Sequence, residues 1–136
     1  EQRVLQLVNH ARSAPRSCGG TPHPAAPPLA ADSRLVAAAG KHAGRMAREG
    51  FFSHVGPDGS TPAERMEAEG YRWRAWGENI AAGQQTAEQL MESWLSSPAH
   101  CANIMEPGFT ELGVGHVRDL ASPSHDYWVQ NFASPQ

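Results

Sequence analysis

Two apolar stretches near the carboxyl end, Leu112–Val117 (LGVGHV) and Tyr127–Phe132 (YWVQNF), decide the fold class of this chain. Both are short and rich in β-branched or aromatic residues, which is typical of strands. The polar segment between them, Asp119–Asp126, predicts a loop, so we expect the two strands to run antiparallel. Weaker strand candidates lie upstream, at Tyr71–Trp76 and Ile80–Ala82.

Helices are predicted before these strands. The first two carry apolar stripes at helical spacing, and the last two begin with a Thr followed three residues later by Glu or Gln, which is a capping box. The four helices are predicted over residues 2–13, from Asp32 or Ser33 to about Glu49, from Thr61 to Gly70 and from Thr86 to Pro98. A loop rich in Pro and Gly is predicted over Ser17–Pro28. Helices early and antiparallel strands late, without βαβ alternation, indicate an α+β fold.

Size and charge limit the classes of function. The chain has 136 residues, 40% of them apolar, which is enough for the core of one domain. With 11 Lys and Arg against 14 Asp and Glu, the net charge is −3, which argues against a nucleic-acid partner. No stretch approaches the ~18 apolar residues of a membrane-spanning helix, so we expect no transmembrane segment.

The two cysteines, Cys18 and Cys101, lie too far apart for a local CxxC motif. A disulfide between distant segments is the favoured interpretation, and it would anchor the loop that carries Cys18. Two free, buried thiols in a reducing compartment are the alternative.

Seven histidines invite a metal or acid–base interpretation, but most are expected to be surface or structural residues. These are His10 and His42 within helices, His23 and His125 in loops, and His116 after a strand-like stretch. His54 and His100 differ, because each lies at the end of an element beside apolar neighbours that can hold it in place. Glu78 lies between a glycine and an apolar run, where a carboxylate persists only if it is paired.

Aromatic residues suggest a second kind of site, because aromatic side chains on exposed loops can pack against sugar rings or lipids. Trp94 and Trp128 lie on periodic elements and are expected in the core. Tyr71, Trp73 and Trp76 are the remaining candidates, and the two tryptophans, interleaved with arginines, are the better surface candidates.

Several catalytic signatures are missing. The chain contains no HExxH zinc helix, no GxSxG nucleophile elbow, no Walker loop and no GxGxxG motif. The sequence therefore indicates none of the enzyme classes that these motifs mark.

Five motifs, in order, resemble one family. They are FFSH (Phe51–His54), GENIA (Gly77–Ala81), SPAHCANIM (Ser97–Met105), FTELGVG (Phe109–Gly115) and YWVQNF (Tyr127–Phe132). From Asn9 to Phe132 the chain resembles the CAP superfamily of cysteine-rich secretory proteins, antigen 5 and pathogenesis-related proteins, especially its compact bacterial branch. The resemblance implies one SCP-like domain over residues 1–136. It also implies an α-β-α sandwich with a central, mainly antiparallel sheet between helical layers, and a secreted, periplasmic or cell-surface location.

The resemblance also implies an open cleft that carries two His and two Glu in eukaryotic relatives. His54, Glu78 and His100 match three of these positions. The second glutamate is expected three residues after Trp94, where this chain has Ser97, so the set of four is incomplete. The other residues expected to line the cleft are Ser97, Asn79 and Asn103.

Two imidazoles and one carboxylate can hold a divalent cation, zinc by preference, with a position left for water. The same three side chains can equally hydrogen-bond one another without metal. We expect a secreted, monomeric bacterial protein whose cleft coordinates a divalent cation and binds an extracellular lipid, glycan or peptide. One alternative is a metal-assisted hydrolase of peptide or cell-wall polymer that uses Glu78, although the missing second glutamate counts against it. Another is a lipid- or glycan-binding or purely structural extracellular scaffold.

Overall fold

The computed structural model describes residues 1–136 and contains five helices and six strands. The helices are α1 (Gln2–Arg12), α2 (Ser33–Glu49), α3 (Pro62–Ala68), α4 (Ala87–Leu95) and α5 (Pro98–Met105). The strands are β1 (Arg16–Cys18), β2 (Thr21–His23), β3 (Ala30–Ala31), β4 (Trp73–Ala82), β5 (Glu111–Arg118) and β6 (Asp126–Pro135).

A four-stranded sheet in the order β3-β5-β6-β4 forms the centre of the molecule. β6 pairs antiparallel with both β5 and β4, and only the short β3 runs parallel to its neighbour β5. Because side chains alternate along a strand, Trp128 and Phe132 of β6 pack against α1, α4 and α5, whereas Tyr127 and Val129 pack against α2. The expected α-β-α sandwich is confirmed.

Helix α2 lies close to the sheet because β5 has glycines on the face that it covers. A Cβ added at Gly115 would lie 2.5 Å from the backbone of Ala39 and Gly40, and one added at Gly113 would overlap the backbone of Leu35. A side chain at either position would force the helix away from the sheet.

The helix starts follow the sequence signals. The Asp32 carboxylate accepts hydrogen bonds from two backbone N–H groups at the start of α2, and the complete capping box of Thr61 and Glu64 begins α3. Thr86 caps α4 in the same way, through the N–H of Gln89. The predicted helices are confirmed to within two residues, apart from the end of the fourth.

Three parts of the predicted secondary structure were wrong. Pro98 does not end the α4 helix, which stops at Leu95; it is the first residue of α5, where its missing N–H costs nothing. The two weak strand candidates are one continuous strand, β4, that begins at Trp73. The loop predicted over Ser17–Pro28 contains most of a small hairpin of β1 and β2.

Burial also corrects two predictions. His42 is fully buried in α2 and not a surface or rim residue, and its Nε2 lies 2.8 Å from the carbonyl oxygen of Ser53. Tyr71 is buried as well, and its hydroxyl donates to the Glu111 carboxylate at 2.6 Å. Trp94 and Trp128 are buried as predicted.

The Cys18–Cys101 disulfide is present and joins β1 to α5. Beside α5, the fully buried Arg12 donates to the backbone carbonyl oxygens of Pro27, Ile104, Glu106 and Phe109. The disulfide and this arginine therefore hold the same corner of the molecule together. None of the five helices is both long enough and apolar enough to cross a membrane.

Candidate functional site

A cavity of about 520 Å³ lies beside β4, the edge strand of the sheet, and we call it the cleft. It brings together residues of the α2–α3 loop, the start of α3, strand β4 and helix α5. Its lining consists of His54, Val55, Thr61, Pro62, Trp76, Gly77, Glu78 and Asn103. The FFSH, GENIA and SPAHCANIM motifs therefore each contribute a residue to one depression.

Glu78 is the buried anchor of the cleft, with a side chain only 1% exposed. Its Oε1 accepts a hydrogen bond from Nδ1 of His54 at 2.8 Å. Its Oε2 accepts from Nη2 of Arg65 at 2.9 Å and from Nδ2 of Asn131 at 2.8 Å. Asn131 is the cross-strand partner of Glu78, so the β4–β6 register fixes this contact. Both carboxylate oxygens are thus occupied, as a buried carboxylate requires.

The hydrogen bond to Glu78 determines how His54 faces solvent. An ionised carboxylate only accepts, so Nδ1 of His54 carries the proton. The ring is half exposed, and its Nε2 makes no hydrogen bond within the chain. His54 is therefore held at one nitrogen and free at the other.

His100 of α5 is arranged in a similar way, although neither it nor Ser97 is among the residues that line the cleft. Its Nδ1 lies 2.9 Å from the hydroxyl oxygen of Ser97, the residue at the position where a second glutamate was expected. Burial lowers the pKa of His100, and the nearby charge of His54 lowers it further. The imidazole is therefore neutral at neutral pH, and its Nε2 also makes no hydrogen bond within the chain.

The asparagines connect the strand to the helix that carries His100. Asn79 is fully buried, because alternation along β4 turns it away from the face that carries Glu78. Its amide donates to the carbonyl of His100 at 3.2 Å and to the side chain of Gln130 at 3.0 Å, and it accepts from Asn103 at 2.9 Å. Asn103 lines the cleft, whereas Asn79 lies behind its wall.

Arg65 and Trp76 also belong to the surroundings of the cleft, one of them missed and the other predicted to be exposed. Arg65 was missed by the sequence reasoning, because an arginine in a short helix looks like an ordinary surface residue; its side chain is only 10% exposed and pairs with Glu78. Trp76 lines the cleft and is 38% exposed, whereas Trp73 packs partly against the buried cluster that contains Tyr71.

The contacts of Glu78 bear on which side chains could hold a metal ion. No group of three or more His, Cys, Asp or Glu side chains is arranged to hold a metal ion. Three other side chains already hydrogen-bond to the Glu78 oxygens. Among the three residues predicted to bind a metal, the atoms without a partner are therefore Nε2 of His54 and Nε2 of His100. The residues present fit a site with two protein ligands, not three.

Comparison with known proteins agrees with the fold and with the motifs. The sequence pattern of the Cysteine-rich secretory protein family (CAP) matches residues 5–132. The uncharacterized protein YkwD of Bacillus subtilis is 33% identical over 132 residues, which are 97% of this chain and 46% of that protein. The chain thus spans less than half the length of this curated relative.

Solved structures show the same architecture. An extracellular protein from Bacillus anthracis that contains an SCP domain superposes with a TM-score of 0.80 at 30% identity, over 97% of this chain and 39% of that one. An outer surface protein of Borrelia burgdorferi superposes with a TM-score of 0.76 at 18% identity, over 99% of this chain and 89% of that one. With a family pattern that covers nearly its whole length, the chain belongs to the cysteine-rich secretory protein (CAP) family.

Proposed function

We propose that this CAP domain is a ligand-binding module that acts outside the cytoplasm, and that its cleft holds a divalent cation, zinc by preference, through Nε2 of His54 and of His100. The observation that carries the proposal is the pairing of each Nδ1 within the chain, to Glu78 and to Ser97, which leaves both Nε2 atoms without a partner. Imidazole nitrogen is a ligand that zinc accepts readily.

In this proposal Glu78 orients a ligand and is not one itself. A carboxylate that accepts from the Nδ1–H of a histidine fixes the ring and makes its Nε2 more basic, which is a common arrangement behind metal-binding histidines. Arg65 and Asn131 in turn hold the carboxylate. Two protein ligands leave the remaining positions to water or to the bound molecule, so we expect weak, exchangeable binding of the cation.

The contacts of Glu78 argue against the hydrolase alternative. A general base needs an oxygen that can take a proton from water, and both oxygens of this carboxylate already accept hydrogen bonds, one of them from a guanidinium. Binding, without turnover, is the function that fits these contacts.

The rim of the cleft favours a glycan as its ligand. Trp76 lines the cleft with part of its ring exposed, and Asn103 adds a polar amide beside it. A broad aromatic face next to hydrogen-bonding groups suits a sugar ring, which has apolar C–H faces and polar edges. The extracellular SCP-domain protein of Bacillus anthracis supports a location outside the cytoplasm.

Calorimetric titration of zinc into metal-stripped protein tests the cation site. We expect saturable binding at pH 7.5 that disappears in His54→Ala/His100→Ala and persists in the matched control His10→Ala/His23→Ala, which removes two histidines outside the cleft. Glu78→Gln should weaken binding roughly 10–100-fold, the usual effect of losing such a supporting carboxylate. No heat at millimolar zinc, or equal binding in both double variants, would contradict the proposal.

The ligand class is tested separately, by titrating soluble cell-wall glycan fragments and following tryptophan fluorescence. Trp76→Ala should weaken binding about tenfold or more, because an aromatic anchor is worth about 2 kcal/mol. Phe52→Ala removes another exposed aromatic outside the cleft lining and is the control. Equal glycan affinity of wild type and Trp76→Ala would contradict glycan binding in the cleft but would not bear on the proposed cation site.

A further inference from the structure

A second cavity, of about 250 Å³, lies between α2 and α3, outside the cleft. Eight of its ten lining residues are polar or charged, and Ala38 and Ala68 are the two apolar ones. The full lining is Ala38, Lys41, His42, Arg45, Asp58, Ser60, Glu64, Arg65, Ala68 and Glu69. The volume far exceeds the ~10–15 Å³ that one ordered water needs, and it lies just below the ~300–1,000 Å³ of pockets for drug-sized ligands.

Three of its lining residues carry a buried polar atom without a hydrogen-bond partner. These atoms are Nδ1 of His42, Nε of Arg65 and Oγ of Ser60. His42 is fully buried and the Arg65 side chain is nine-tenths buried, so contact with bulk solvent does not satisfy the two nitrogens. A buried polar group without a partner is costly, so several of them beside one cavity indicate a missing partner.

Whether Nδ1 of His42 and Nε of Arg65 donate or accept determines which groups the missing partner must carry. Nε2 of His42 donates to the carbonyl of Ser53, so in the neutral ring Nδ1 is an acceptor. Burial lowers the pKa of His42, and the charge of Arg65 lowers it further, so the ring stays neutral. Nε of Arg65 is a donor, while its two other nitrogens donate to the carbonyl of Ser60 and to Glu78. A ligand must therefore donate to one atom and accept from the other.

The charges around the cavity favour a neutral ligand. Lys41 pairs with Glu69 at 2.6 Å, and Arg45 pairs with both Glu49 and Asp58. Arg65 is already neutralised by Glu78. With each of these cations paired to a carboxylate, nothing in the cavity compensates an added ion.

We propose that the α2–α3 cavity is a second binding site, distinct from the cleft, that takes a small neutral polyol. A hydroxyl group both donates and accepts, so neighbouring hydroxyls satisfy Nδ1 of His42 and Nε of Arg65 together. The hydroxyl of Ser60, also on the wall, can rotate to join them. Arg65 also supports Glu78 in the cleft, but through Nη2, and Nδ1 of His42 and Nε of Arg65 take no part in the cation site. Polyol binding can therefore fail without loss of zinc binding, and the reverse.

Chemical-shift mapping with erythritol tests the proposal. Erythritol is a neutral four-carbon polyol without a ring face to pack on Trp76, which separates this site from glycan binding in the cleft. We expect saturable shifts of backbone amides in α3 and the adjoining half of α2. Ala68→Leu fills the cavity from an exposed position and should abolish them, while Ala37→Leu, on α2 outside the cavity lining, should preserve them.

A second variant removes one hydrogen bond without filling the space. His42→Gln keeps a donor towards Ser53 but has no acceptor at the position of Nδ1, and it should weaken erythritol binding roughly fivefold, the factor that corresponds to about 1 kcal/mol. Sodium acetate, a smaller probe that carries a charge, should give no saturable shifts in this region. Shifts that do not saturate, that spread over the whole surface, or that persist in Ala68→Leu would overturn the proposal.

Discussion

Arg12 and Arg65 are both withdrawn from solvent, on opposite faces of the sheet, but their guanidinium groups have different partners. Each nitrogen of Arg12 donates to a backbone carbonyl, and no carboxylate lies in its hydrogen-bond set. Arg65 instead pairs with the Glu78 carboxylate, and its Nε has no partner.

The difference separates a closed side of the molecule from an open one. The closed side comprises α1, α4, α5 and the β1–β2 hairpin, where Arg12 and the Cys18–Cys101 disulfide bind distant segments together. The open side comprises α2, α3 and the loop between them, which line the α2–α3 cavity and part of the cleft. Apart from α5, which carries His100 and the cleft residue Asn103, changes on the closed side should therefore affect stability, and changes on the open side should affect binding as well.

Loss of the disulfide should have the largest effect. Cys18→Ala/Cys101→Ala should lower the free energy of unfolding by about 4 kcal/mol, because a bridge that closes so long a loop strongly restricts the unfolded chain. Urea unfolding of the variant beside wild type measures this. Zinc affinity should be unchanged as long as the variant is folded. A loss below about 1 kcal/mol would mean that the disulfide does not hold the closed side together.

Arg12→Met should cost roughly 3 kcal/mol, since it leaves buried carbonyl oxygens without a donor. Urea unfolding again gives the value, and Arg16→Met, at an exposed arginine four residues later, is the control that should change stability little. Equal stability of the two variants would show that the buried carbonyls do not depend on the cation.

Arg65→Met should cost about 2 kcal/mol and also weaken zinc binding, because the Glu78 carboxylate loses its cation and no longer holds His54 firmly. Adding Glu78→Gln removes the unpaired charge, so the double variant should lose less stability than the sum of the single losses. Strict additivity of the two losses in urea unfolding would contradict the direct pairing of these side chains.

The smallest effect expected is a pH dependence on the open side. Burial lowers the pKa of His42, and the Arg65 charge adds to this, so the unfolded chain takes up a proton at higher pH than the folded one does. Stability should therefore fall as the pH drops below about 6.5, the ordinary pKa of histidine. His100 contributes with the same sign.

Melting temperatures of wild type and His42→Gln between pH 7.5 and 5 measure this dependence. The variant should lose less stability than wild type over that interval, while Arg12, which stays charged throughout, adds no slope of its own. Parallel curves for the two proteins would mean that His42 is not the group that titrates.

Sequence reasoning predicted the parts that depend on local signals. The capping boxes at Thr61 and Thr86 and the apolar runs of β5 and β6 each specify an element through neighbouring residues, and all four are present. Pro98 was misread because proline is compatible with both the end of one helix and the first turn of the next. Local sequence does not distinguish the two.

Only part of the candidate site could be predicted from local sequence. The motifs predicted that His54, Glu78 and His100 are important, but the partners of Glu78 depend on tertiary structure. Asn131 reaches it through the β4–β6 register, and Arg65 reaches it because α3 packs against β4. No pattern near Arg65 indicates its burial, so the sequence did not predict that this arginine pairs with Glu78.

The tautomers of His54 and His100 during a zinc titration test the proposed cation site most directly. Long-range ¹H–¹⁵N correlation spectra of the imidazole rings report which nitrogen carries a proton and which binds metal. We expect His54 to be protonated at Nδ1 before zinc is added, and Nε2 of both rings to shift together as zinc binds, while Nδ1 of His54 keeps its proton. Zinc-dependent loss of the proton at Nδ1 of His54, or unchanged Nε2 signals at saturating zinc, would contradict a cation held by these two nitrogens.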